Sequence, residues 1–254
     1  MRLVVLGEGV DTAEHVILGI HGWGGGAETF EPIASSIPKG TCLVSVDLPG
    51  YGASPPPSVW NVEAVTNGLV EVIDSLPGEL TLLGNCSGAI FGMCAVLKRP
   101  ERFRRMVLID PFAYFPWYFR IMLWPWVGRV FYATAFQNPL GRLLTNLGLA
   151  HRRSGESNLT SSFEDLRHDV VYKYLCLLRD VGGYQGFSDL LCVPKIELAI
   201  GRRSFHAIHQ SAGLWKSLWP HAQVQILEGA GHLPIEEATS DLGRIVFQET
   251  TEIG

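Results

Sequence analysis

One short stretch limits what this chain can fold into more than any other. Residues 80–91 read Leu-Thr-Leu-Leu-Gly-Asn-Cys-Ser-Gly-Ala-Ile-Phe: an apolar β-type run passes through Gly84-Asn85-Cys86-Ser87-Gly88 directly into a helical pattern. Glycines placed two residues before and two after a nucleophile mark a strained strand-to-helix turn that lifts the central side chain above a sheet. The glycines are needed because the backbone there is pressed against its neighbours and the central residue sits in an unfavourable φ/ψ region. In this register the central residue is Cys86, not the usual serine. The register Asn85-Cys86-Ser87-Gly88-Ala89 would centre Ser87 instead, but it puts Asn where a small side chain is required. The spacing therefore points to Cys86 as nucleophile.

The rest of the chain supplies the sheet that such a turn needs. Short β-type runs fall at 15–20, 42–47, 80–84, 105–110, 195–201 and 224–229, several of them continuously apolar. Strands buried on both faces of a parallel sheet have that character. Helical patterns lie between them at 30–37, 61–76, 88–97, 211–219 and 242–248. The alternation predicts an α/β fold, a mostly parallel central sheet with helices on both faces. Residues 1–110 and 191–254 form its core. Residues 111–190 contain no strand of the series and are expected to be an inserted helical cap. The first part of the insertion, 112–136, is crowded with aromatics, including Phe112, Phe115, Trp117 and Trp124, around only Arg120 and Arg129. Pro116 and Pro125 interrupt it, so it is a poor membrane-spanning helix. An apolar substrate pocket under the cap and contact with a membrane surface are both readings of this stretch. Residues 162–180 read as a charged amphipathic helix.

Composition removes other classes. A net charge of −5 and the absence of a basic stripe argue against nucleic acid as a partner. The N-terminal apolar run is too short for a signal peptide. The five cysteines (Cys42, Cys86, Cys94, Cys176, Cys192) lack metal-ligand spacing and are expected to be reduced thiols in a cytoplasmic setting, all but Cys86 buried and inert. No metal site and no cofactor are expected.

Two loops complete a candidate site. Ile20-His21-Gly22-Trp23-Gly24-Gly25-Gly26 follows a strand directly. A glycine-rich turn there leaves the Trp23 N–H free for a developing oxyanion, with the Ser87 N–H as second donor. It lacks the Gly-Lys-Ser/Thr ending and the Gly-x-Gly-x-x-Gly spacing of nucleotide loops. Gly229-Ala230-Gly231-His232 places His232 just past the last strand, in the chain order of nucleophile, acid and histidine. His21, Phe112, Phe115, Trp117 and Trp124 are expected to line the substrate pocket.

With these residues the chain resembles the α/β-hydrolase-fold family over nearly its whole length. His21-Gly22-Trp23-Gly24 matches the family's oxyanion loop. Asp47-Leu48-Pro49-Gly50-Tyr51-Gly52-Ala53-Ser54 matches its Asp-x-Pro-Gly-x-Gly-x-Ser turn. Within the family it is similar to the small carboxylesterases, the pimeloyl-acyl-carrier-protein methyl ester esterases among them, which share the His-Gly-Trp-Gly start. Two departures stand out. Cys86 replaces serine, and the segment after the penultimate strand reads Gly201-Arg202-Arg203-Ser204 where the family usually has Gly-x-x-Asp. Asp110, ending Val107-Leu108-Ile109-Asp110, stands where some members carry the acid instead, and Ser204 is then expected to make no essential contact. A thiol facing an imidazole rests as thiolate and imidazolium and leans less on a third residue than serine does. The resemblance implies an esterase or thioesterase that processes a hydrophobic acyl group, linked to acyl carrier protein or coenzyme A, through a thioester acyl-enzyme. Acyl transfer or ring closure from the same intermediate is the alternative reaction, and a non-hydrolytic binding or receptor-like protein the alternative class.

Overall fold

In the computed structural model, which describes residues 1–155 and 157–248, the strands form one sheet in the order β1-β3-β2-β4-β5-β6-β7. They are β1 (Leu3–Gly7), β2 (His15–Ile20), β3 (Thr41–Val46), β4 (Leu80–Asn85), β5 (Phe103–Ile109), β6 (Lys195–Gly201) and β7 (Gln223–Leu227). Only β1 runs antiparallel, against β3. Alternate residues separate into two cores, as the two-residue period of a strand requires. Leu18, Val44, Leu82, Leu108 and Leu198 face one side; Ile17, Leu43, Leu83, Val107 and Ala199 face the other. The first side is covered by α1 (Val62–Ser75) and α2 (Ser87–Val96). The second is covered by the 3₁₀ run Ala27–Ser36, whose Phe30 and Ile33 are fully buried.

β1 is absent from the sequence expectation. It is an edge strand whose Leu3 and Val5 remain partly exposed, so its apolar residues do not alternate with polar ones and give no period-two signal.

Between Ile109 and Lys195 the described residues form helices joined by turns and loops, with no strand. They include α3 (Trp117–Met122), α4 (Gly128–Tyr132), a π-turn at Ala133–Gln137, α5 (Pro139–Gly148) and α6 (His168–Val181). The last is shorter than the amphipathic stretch read from sequence. Both ends of this insertion are tied to α7 (His206–Leu218). Ala113 N–H donates to Ser211 Oγ at 2.9 Å, and the Trp215 indole donates to the Pro111 carbonyl at 3.1 Å. The 3₁₀ run Tyr184–Cys192 packs Phe187 against Trp215. α8 (Pro234–Glu237) and α9 (Thr239–Phe247) close the described chain; α9 joins the second core through Leu242 and Ile245. No helix of the described residues is long and apolar enough to cross a membrane.

Candidate active site

Parallel strands gather the loops that follow them at one edge of the sheet, where open α/β sheets place their ligands. His21, Asp47, Cys86, Asp110 and Ser204 all follow carboxyl ends of neighbouring strands, and His232 lies five residues past β7. Cys86 lies at the apex between β4 and α2 with φ 50° and ψ −113°, a conformation an L-residue rarely adopts. The flanking glycines allow it. A Cβ on Gly84 would lie 2.4 Å from the Ala89 Cα, and one on Gly88 would lie 2.2 Å from the Ile20 carbonyl oxygen. The Cys86 N–H donates to the Ile109 carbonyl at 2.8 Å, so the turn is also pinned to β5.

β5 leads directly into Asp110. Asp110 is fully buried and also has positive φ, at 46°. Its Oδ1 accepts the Gly201 N–H at 3.0 Å, and its Oδ2 lies 2.8 Å from His232 Nδ1. The carboxylate thus reaches the imidazole from the end of β5. With Nδ1 so engaged, Nε2 is the ring nitrogen left for Cys86, which lines the same cavity as His232. Burial alone would pull the His232 pKa down; Asp110 and Cys86 beside the ring outweigh it and lift it to about 10, which favours the protonated ring.

Ser204 corrects the sequence expectation. Rather than standing apart, its hydroxyl donates to Asp110 Oδ2 at 2.6 Å and lies 3.0 Å from His232 Nδ1. The loop after β6 still reaches the histidine. It now supplies a hydroxyl that holds the carboxylate in place. A serine among arginines carries no sequence signal for this role.

The loop after β2 passes close to Cys86: a Cβ on Gly22 would sit 3.3 Å from the Cys86 Cβ. Ser87 opens α2, so its N–H has no acceptor within the helix. The Trp23 side chain anchors the loop to the insertion. Its indole donates to the Val171 carbonyl at 2.8 Å, and its ring packs on Phe119, Phe136 and Phe163. His21, expected in the pocket, lies instead beneath the loop, fully buried. Its Nε2 accepts the Leu48 N–H at 3.1 Å and its Nδ1 faces the Gly22 carbonyl at 2.9 Å, a pattern that fits the neutral ring favoured by burial.

A cavity of about 720 Å³ opens over Cys86 and His232. Phe112 and Phe115 line it, together with Tyr118, Phe119, Phe136 and Phe163. Trp117 and Trp124 do not, since both project from the outer side of the insertion and are 70% and 63% exposed. The aromatic density of 112–136 signals a wall, but not which side of the wall each ring takes. Tyr118 was one of many aromatics in sequence; in the structure its buried hydroxyl lacks a hydrogen-bond partner and its ring neighbours Phe205, which packs edge-on to His232 at 4.7 Å. Among the other cysteines Cys42 is buried, Cys94 and Cys176 are half-buried, and Cys192, expected to be buried, is exposed where the 3₁₀ run surfaces before β6. Among the described residues no cluster of His, Cys, Asp and Glu could hold a metal ion.

Known proteins share this architecture. The chain is 32% identical over 156 residues to a pimeloyl-[acyl-carrier protein] methyl ester esterase of Nitrosomonas europaea, a match that spans 60% of this chain and 59% of that relative. A protein of the same name from Salmonella newport is 26% identical over 238 residues, 87% of each chain. Among solved structures, an esterase from Exiguobacterium antarcticum superposes with a TM-score of 0.78 at 16% identity, covering 97% of this chain and 94% of its own. The family model for the alpha/beta hydrolase fold matches residues 15–239. The chain belongs to the α/β hydrolase fold family.

Proposed function

We propose that this protein is an esterase-type hydrolase that cleaves an ester or thioester of a hydrophobic acyl group through a thioester on Cys86. The observation that carries the reading is Cys86 at the apex of the elbow, opening onto one cavity with a histidine whose Nδ1 is held by a buried carboxylate. The apolar cavity and the esterase names of the relatives agree with it. Those relatives also make an acyl group carried on acyl carrier protein a natural candidate substrate. Residues 111–190 serve in this reading as the cap over the site.

The chemistry follows from the geometry. The thiolate of Cys86 attacks the acyl carbonyl carbon, and the electron pair displaced onto oxygen meets the N–H groups of Trp23 and Ser87. The tetrahedral intermediate collapses, and the His232 imidazolium gives its proton to the departing alkoxide or thiolate. The neutral ring, its Nδ1–H held by Asp110, then takes a proton from water as the water attacks the thioester. The acid leaves, and thiolate and imidazolium are restored. Phe112, Phe119, Phe136 and Phe163 would bury the acyl chain, at about 0.8 kcal/mol per methylene.

Weighing the intact protein after brief incubation with a panel of acyl thioesters and methyl esters tests this reading. An added acyl mass on the peptide containing Cys86, absent in Cys86→Ala and discharged by water, is the expected result. Acyl adducts that persist in water but pass to an added amine or alcohol would identify an acyltransferase. No adduct with any member of the panel, together with unchanged turnover in Cys86→Ala, would remove the mechanism.

A further inference from the structure

The insertion carries a pattern of charge and exposure that the chemistry at Cys86 does not use. Residues 111–155 hold five arginines and no Asp or Glu, in a chain whose net charge is −5. Large apolar side chains project from the same segment into solvent: Trp117, Trp124, Phe131 and Trp126, the last 97% exposed. Arg120 and Arg129 are exposed among them. Trp126 also takes a positive φ of 71°, which a bulky residue seldom adopts unless its surroundings require it. α5 adds a second apolar face. Leu140, Leu143, Leu144 and Leu147 follow the spacing of one helix side, and each is more than half exposed. In a surface helix that side normally faces the core. The cavity lies on the opposite side of these elements, lined by Met122, Phe136 and Thr145, and none of the exposed residues borders it.

We propose that this outer face is a docking surface for an anionic lipid bilayer. Tryptophans favour the headgroup region, arginines pair with acidic headgroups, and an outward leucine face enters the acyl boundary. An acidic protein partner would match the arginines, but it would leave unexplained the cluster of exposed tryptophans beside an exposed leucine face, the pairing that a headgroup region and an acyl boundary accommodate together.

Flotation of the whole protein with vesicles separates the occupants. The wild type is expected to float with vesicles of phosphatidylcholine and phosphatidylglycerol in equal parts, with a blue shift in tryptophan emission, and to stay behind with phosphatidylcholine alone. Three double variants, Trp126→Ser with Phe131→Ser, Leu143→Gln with Leu147→Gln, and Arg120→Glu with Arg129→Glu, should each weaken partitioning about tenfold. Salt should weaken it in the wild type. None of these side chains borders the cavity, so cleavage of a short soluble ester, or a native circular dichroism spectrum, confirms that each variant is folded. Absence of flotation by the wild type, or flotation unchanged in all three variants, would overturn the proposal. So would a wild-type dimer lost in the same variants without flotation, which identifies a second copy as occupant. Binding to an acidic acyl carrier protein without flotation would overturn it in favour of a protein partner.

Discussion

The sheet with its loops and the helical insertion use the same kinds of residue in opposite ways. In β2, β3 and β4 an apolar residue has one destination on each face, and alternate positions enter one of two buried cores. In the insertion an aromatic has two destinations, a cavity inside and solvent outside. Phe119 and Phe136 take the first; Trp124 and Trp126 take the second. Positions in the first region are single-valued, so substitution there should act nearly all-or-none. Those in the second share a wall, and substitution should act by degrees. This contrast can be broken at several points.

The largest effect is expected at the elbow. Cys86→Ala should abolish acylation, read by intact mass, while Ser87→Ala should leave measurable turnover, because its contribution is a backbone N–H. Cys86→Ser sharpens the point through pH. Burial pulls the His232 ring down, yet Asp110 and Cys86 hold it at about 10. The wild-type rate should therefore fall as pH rises through about 10 and the imidazolium is lost. A serine must instead give its proton to a neutral ring, so the rate of the Cys86→Ser enzyme should climb with pH over the neutral range. Parallel profiles for the two enzymes would deny the thiolate–imidazolium pair.

Next comes Asp110. Asp110→Asn removes the negative charge that holds the Nδ1–H, and the loss in kcat should be large but below the ~10⁴-fold seen in a serine triad. A full rate would reduce the site to Cys86 and His232. Ser204→Ala keeps the carboxylate and removes only the hydroxyl that steadies it, so a loss of about three- to tenfold is expected, the scale of one modest hydrogen bond. A loss as great as that of Asp110→Asn would make the serine an equal member of the relay.

The smallest effect is expected in the wall. Phe136→Ala and Phe163→Ala should move the preferred acyl length by one or two carbons, each methylene being worth about fourfold in kcat/KM. A flat response across chain lengths would show that these rings serve the aromatic packing around Trp23 and not the acyl chain.

Much of this arrangement is legible in the amino-acid sequence, and the reason is physical. Gly84 and Gly88 are forced by close approach, and such positions leave a mark in sequence because any side chain there would run into backbone. Asp110 was legible because it ends an apolar run at a strand's carboxyl end. Ser204 was not. Its role depends on a contact 94 residues away, and a serine in a loop is compatible with almost anything. His21 misled for the opposite reason: it stands in a loop of the right pattern, but the chain turns its ring inward to brace the Leu48 N–H. Trp117 and Trp124 misled because aromatic density does not specify a face. The edge strand β1 was hidden by apolar residues pointing to solvent.

The tail of the insertion and the histidine loop are stitched together. The Arg152 carbonyl accepts the His232 N–H at 2.8 Å, and its guanidinium donates to the Ser204 carbonyl at 2.9 Å. Glu237 joins the Ser154 N–H to the Gly231 N–H, and a Cβ on Gly231 would fall 2.1 Å from the Arg152 oxygen. Displacing this tail would therefore pull directly on the backbone of His232 and on the loop that bears Ser204, so in the proposed reaction the insertion and the histidine would keep one register or lose it together.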